Sequence, residues 1–249
     1  MIRVVFVSGS SRGLGYYIAK KFLENGDKVI VNGTNNYELK KTYIKLIKIH
    51  KKSNILALSG DIREKSFLKK AKQIIKKKFK ALNILVANAG RLRLNGKLLD
   101  NKEMLKYNYK TASNFSNFFK KDIVSTKNGS IIFISSIAAI TKTTAPKGYV
   151  EAKSRINKLS KKLALELSKK NVNVNVILPG NILIKNGNWD NKIKKNKKEV
   201  MNYIKKNVPM KRFASPEEIS NLCLFLSEKK SKFITGQLIS IDGGQSIKK

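Results

Sequence analysis

From one end of this chain to the other, short apolar runs alternate with longer stretches in which apolar residues recur every three or four positions. The short runs are Ile2–Ser8, Lys28–Asn32, Ile55–Ser59, Asn83–Ala87, Ser130–Ser135, Asn173–Leu178 and Gln237–Ile241. They are rich in β-branched residues and apolar on successive positions, as strands covered on both faces are. The periodic stretches Leu14–Glu24, Tyr37–Lys51, Lys65–Phe79, Lys102–Lys121, Tyr149–Lys169 and Pro216–Leu226 predict helices. Ser215-Pro216-Glu217-Glu218 is a sound helix start, with a capping hydroxyl, proline in the first turn and acids at the positive end. Regular β–α alternation predicts an α/β fold, a Rossmann-type doubly wound parallel sheet with helices on both faces. The length suits one domain spanning 1–249. One segment breaks the rhythm: residues 181–207 are polar and lysine-rich around the sole tryptophan, Trp189, and follow a strand end, where substrate lids often lie.

Composition changes this picture little. The formal charge of +37 suggests a polyanion binder. The excess is nearly all lysine, however, and it is spread over every helix and loop beside equally heavy use of Asn and Ile. Codon bias of an AT-rich genome accounts for that, so no specific nucleic-acid partner is expected, and only a weak pull on acidic partners remains. No apolar run approaches the roughly 20 residues of a membrane span, so no membrane partner is expected. The first residues run straight into a strand without a cleavage region, so the expected location is cytoplasmic. Cys223, the single cysteine, lies in an apolar helical run and offers neither a disulfide nor a metal site. His50, the only histidine, reads as a surface residue.

Two features carry candidate chemistry. After the first strand comes Ser8-Gly9-Ser10-Ser11-Arg12-Gly13-Leu14-Gly15 and then a helix. A glycine-rich strand-to-helix turn lets a diphosphate approach backbone amides at a helix N-terminus. The second feature is Tyr149 with Lys153. At i,i+4 they share a helix face, where an ammonium can favour a phenolate and so tune a proton donor. Tyr16/Lys20, Tyr17/Lys21 and Tyr37/Lys41 have the same spacing, so spacing alone does not select the pair.

The ordered motifs select it. The glycine turn resembles the TGxxxGxG element of the classical short-chain dehydrogenase/reductase family, with serine for the leading threonine. Asp61-Ile62 resembles the family's adenine-contacting element, Ala87-Asn88-Ala89-Gly90 its NNAG, and Pro179-Gly180 its PG. Phe233 to Gln237 and Asp242-Gly243-Gly244 also fit, so the likeness covers essentially the whole chain and is nearest to the 3-oxoacyl-[acyl-carrier-protein] reductases. Ser136 lies thirteen residues before Tyr149, the family spacing, and Asn108 falls where the family carries its active-site asparagine. The adjacent Ser135 is the other candidate serine.

The resemblance implies about seven strands in the order 3-2-1-4-5-6-7 and a catalytic set of Asn108, Ser136, Tyr149 and Lys153. Tyr149 would give a proton to a carbonyl oxygen, Ser136 would hold that oxygen, and Lys153 would lower the tyrosine's pKa and bond the nicotinamide ribose. Asn108 would order a proton-supplying water chain. Cofactor contacts are implied for Gly9, Ser11, Arg12, Gly13, Leu14, Gly15, Thr34, Asp61, Ile62, Asn88, Ala89, Gly90, Tyr149, Lys153, Pro179, Gly180 and Ile182. Ile184 stands where many members have a nicotinamide-binding threonine, which leaves backbone contacts at Ile182. The end of strand two, Val31-Asn32-Gly33-Thr34-Asn35, lacks the carboxylate of NAD-specific members, so NADP(H) is expected over NAD(H), with Arg12 and Thr34 at the 2′-phosphate. The implied partners are a carbonyl or alcohol substrate, acyl carrier protein docking at Lys127 and Lys170, and further copies of the chain in a tetramer or dimer. The alternative substrate is a sugar or sugar nucleotide of surface-polysaccharide synthesis, with Trp189 as a stacking platform; Trp189 reads equally as the anchor of the lid. A non-catalytic dinucleotide-sensing or nucleic-acid-binding module is the remote alternative.

Overall fold

The structure, a computed structural model, describes residues 2–126 and 128–248; Lys127 lies outside the described residues. In chain order the elements are β1 (Val4–Val7), α1 (Gly13–Glu24), β2 (Lys28–Gly33), α2 (Asn36–Ile47), β3 (Ile55–Ser59), α3 (Lys65–Phe79) and β4 (Ile84–Ala87). A small hairpin follows, β5 (Arg93–Leu94) and β6 (Lys97–Leu98). Next come α4 (Asn101–Met104), a π-helical turn (Leu105–Lys110), α5 (Thr111–Val124), β7 (Ser130–Ile134) and α6 (Lys147–Ser168). The chain ends with β8 (Asn173–Pro179), α7 (Asn188–Lys195), α8 (Lys197–Asn207), α9 (Pro216–Leu226) and β9 (Leu238–Ile241).

Seven strands form one parallel sheet in the order β3-β2-β1-β4-β7-β8-β9. Counted along the sheet alone, this is the expected 3-2-1-4-5-6-7. Strand periodicity divides the core in two. Val4 and Phe6 face one side, where Phe6 meets Phe115 and Phe119 edge-on at 4.8 and 5.6 Å. Val5 and Val7 face the other, against Ile18 and Phe22 of α1. Two asparagines interrupt the apolar run of β8, and both are satisfied. Asn173 donates to the carbonyls of Lys232 and Ile234, and Asn175 donates to Ile234 and accepts from the Gln237 amide, which holds the approach to edge strand β9.

The cap read at Ser215 is present as a reciprocal box: the Ser215 hydroxyl accepts from the Glu218 amide at 3.2 Å, and Glu218 accepts from Ser215 at 2.8 Å. Other expectations need correcting. Segment 181–207 is helical over most of its length, and α6 begins at Lys147 rather than Tyr149. His50 is half-buried, its Nε2 enclosed without a partner, and burial pushes its pKa down. No helix among the described residues is long and apolar enough to cross a membrane.

Candidate active site

Strand order reverses between β1 and β4, and in doubly wound sheets ligands bind in the crevice at the carboxyl ends of the strands there. A cleft of about 390 Å³ lies at this place. It gathers twelve of the expected residues: Gly9, Ser11, Arg12, Gly13, Leu14 and Gly15 from the first turn, Thr34 after β2, Asp61 and Ile62 after β3, and Asn88, Ala89 and Gly90 after β4. The amide of Asn88 closes the turn from below, donating to the carbonyls of Ser8 and Gly9 at 3.0 and 3.1 Å. Asn32, fully buried, ties that turn to the adjacent wall. It accepts from the Gly9 amide at 3.3 Å and donates to Leu58 and Gly60 at 3.0 Å each.

The cleft also holds residues that sequence reading missed: Asn32, Glu38, Arg63, Arg91, Arg93, Tyr107 and Thr111. Glu38 brings a carboxylate close to the expected 2′-phosphate position from the first turn of α2, beyond the strand end where an acid was sought. Arg63 grips Asp61 with its backbone amide and guanidinium, at 2.5 Å for the ion pair. Burial alone would raise the Asp61 carboxyl; these bonds and the charges of Arg63 and Arg91 hold it below its ordinary value.

Beyond this cleft, past the end of β7 and on α6, stand the residues expected to be catalytic. Ser136 follows β7 and caps a one-turn 3-10 helix (Ile137–Ala139), accepting from the Ala138 amide at 3.2 Å. Ser135, the competing candidate, is buried, and its hydroxyl is spent on the Lys153 carbonyl at 3.2 Å. Tyr149 lies in the first turn of α6 with its hydroxyl beside Ser136. Lys153, one turn on and buried, donates to the Ile134 carbonyl at 2.9 Å and sits 5.5 Å from the centre of the Tyr149 ring.

Burial pushes the Tyr149 phenol above its ordinary value, and only the Ser136 hydroxyl pulls the other way. Lys153 carries its own desolvation cost, which brings its pKa down to about 8.

The Lys153 shift has a measurable consequence. The folded chain holds this proton less tightly than the unfolded chain, whose lysine keeps its ordinary value of 10.5. The charge therefore costs stability at neutral pH, and the cost fades as pH rises from about 8 to about 10.5. Against Lys153→Met, the wild type should gain up to about 3 kcal/mol of relative stability over that window, read by urea unfolding at each pH. A flat difference would mean that the ammonium is not desolvated.

Asn108 sits in the π-helical turn, a local widening common at functional positions. Its amide nitrogen donates to the carbonyls of Arg91 and Met104, both at 2.9 Å. Its Oδ1 is buried and has no partner, an acceptor aimed beneath Gly90. Pro179 and Gly180 close β8, where Gly180 packs on Asp242 and donates to Ile241. Ile182 pairs with Ala214, fastening the start of segment 181–207. Trp189 stacks on Tyr203 at 5.3 Å and meets Phe213 at 5.4 Å, with Lys192 over its ring.

A family model described as Enoyl-(Acyl carrier protein) reductase matches residues 9–246. A 3-oxoacyl-[acyl-carrier-protein] reductase of Buchnera aphidicola subsp. Baizongia pistaciae is 32% identical over 97% of this chain and 96% of its own. Its counterpart in Aquifex aeolicus is 31% identical with the same coverage. Among solved structures, L-sorbose reductase from Gluconobacter frateurii, complexed with NADPH and L-sorbose, is 26% identical with a TM-score of 0.87. That likeness covers 100% of this chain and 98% of the other.

Proposed function

The chain belongs to the short-chain dehydrogenase/reductase family of oxidoreductases acting on CH–OH groups, and we propose that it uses NADP(H) to reduce a 3-oxoacyl thioester presented by acyl carrier protein. The observation that carries the reaction type is the meeting of Tyr149, Ser136 and Lys153 beside the cleft, with Asn108 holding an unfilled acceptor. The relatives' names and their full-length coverage support the thioester.

The glycine turn, the open space at Gly13 and the amide ends of α1 fit a dinucleotide diphosphate. Asp61 and Ile62 would flank its adenine, Thr34 and Arg12 would meet the 2′-phosphate, and Pro179, Gly180 and Ile182 would border the nicotinamide. When bound, the reduced nicotinamide supplies the hydride. Tyr149, a phenol protonated at neutral pH, gives its proton to the substrate oxygen, while Ser136 donates to the same oxygen and stabilises its developing charge. Lys153 positions the Tyr149 ring and offers donors to the ribose. Asn108 Oδ1 accepts from a water that returns the proton.

For the cofactor, a charge-assisted bond from Arg12 to a 2′-phosphate is worth about 1.5–3 kcal/mol, enough to outweigh the nearby Glu38. The KM for NADPH should then lie about tenfold or more below that for NADH. A clear NADH preference overturns this choice. The likeness to L-sorbose reductase supports a second reading, reduction of a keto sugar. Parallel NADPH assays on an acetoacetyl thioester and a panel of keto sugars separate the two, because turnover confined to the sugars rejects the thioester.

A further inference from the structure

Asn108 is only as well placed as the two carbonyls that hold its amide. Because both accept from Nδ2, only one orientation of the carboxamide satisfies them, and that orientation leaves Oδ1 facing Gly90. The Met104 carbonyl belongs to the same helix and is fixed by it. The Arg91 carbonyl belongs to the loop after β4, outside the helix, and needs its own restraint. Tyr107, the residue before Asn108, supplies one. The Arg91 guanidinium lies 5.0 Å from the centre of the Tyr107 ring, and that of Arg63 lies 4.0 Å from it. Arg63 is in turn gripped by Asp61, and the Tyr107 carbonyl is bound by the Thr111 hydroxyl at 3.0 Å. The ring is thus held at its backbone and on its face, and Arg91 rests against it.

We propose that Tyr107 is a positioning residue for Asn108, acting through the stacked Arg91 whose carbonyl orients the Asn108 amide. This rests on the reading of Asn108 given above. The test measures kcat at saturating NADPH with an acetoacetyl thioester, together with thermal melting of each variant. Tyr107→Leu should lower kcat about tenfold, and Tyr107→Phe, which keeps the ring, should restore it. Arg91→Ala keeps the carbonyl but loses the stack, and should reproduce the loss in a chain that melts like the wild type. In an Asn108→Ala background, Tyr107→Leu should cost nothing further, since the two act as a unit. Wild-type kcat in both Tyr107→Leu and Arg91→Ala, or losses that multiply in the double variant, would overturn the proposal while leaving the role of Asn108 intact. An unimpaired Asn108→Ala enzyme would instead remove Asn108 from the reaction, and this proposal with it.

Discussion

Tyr149→Phe should lower kcat about 1,000-fold or more while leaving the affinity for NADPH within a fewfold of wild type. The variant removes one oxygen and keeps the ring that lies 5.5 Å from the Lys153 ammonium, so the packing around α6 survives. What it removes is the proton. The phenol lies beside Ser136, and burial pushes its pKa up from its ordinary value, so it carries its proton at neutral pH. No neighbouring group can take over: the Ser135 hydroxyl is bonded to a backbone carbonyl, and Lys153 points at the end of β7. The three competing Tyr/Lys pairs provide the controls. Tyr16 and Tyr17 pack edge-to-face on each other at 5.3 Å, Lys20 is engaged by Glu24 at 3.2 Å, and Tyr37 is 72% exposed. Phenylalanine at those three positions should leave the rate unchanged. A full rate in Tyr149→Phe, or a comparable loss in any control, refutes the assignment; stopped-flow hydride transfer and NADPH fluorescence titration measure both quantities.

The sheet was legible because a strand buried on both faces must be apolar on successive residues, and few other environments demand that pattern. β1 and β4 show it throughout, and β7 shows it from Ile131 to Ile134. The helices of 188–207 were not read because their buried residues are few, Val200 and Ile204 alone, too sparse a stripe for periodicity. A local signal was there nonetheless: Asn196 caps the Glu199 amide at 3.1 Å. The hairpin at Asn95-Gly96 also carried its signal, with both residues at positive φ as a two-residue turn requires. At the site, the ordered motifs named positions but not environments. That Lys153 would be tethered to Ile134, and that burial would push the Tyr149 phenol up, no spacing reveals. The stack of Arg63, Arg91 and Tyr107 joins residues from three separate segments, so only the folded chain assembles it.

Gly15→Ala should weaken NADPH binding by about 100-fold and lower stability by about 1–3 kcal/mol, the cost typical of forcing a methyl into filled space. Gly15 is buried in the first turn of α1, where a Cβ would collide with the Gly9 carbonyl and stand 2.6 Å from the Asn88 amide nitrogen. Neither neighbour yields without loss. The Gly9 carbonyl already accepts from Asn88, and the Gly9 amide is held by Asn32, so displacing the turn strains bonds to β2 and to the loop after β4 together. Because the turn is what would cradle the diphosphate, affinity should fall further than the change in stability alone implies. Gly13 distinguishes crowding from mere loss of a glycine. Its φ is +60° and nothing lies within 4 Å of its Cβ position, so Gly13→Ala meets only the left-handed backbone cost of about 1–2 kcal/mol. Equal losses of NADPH affinity in the two variants would show that backbone freedom, and not the contact between Gly15, Gly9 and Asn88, shapes the turn.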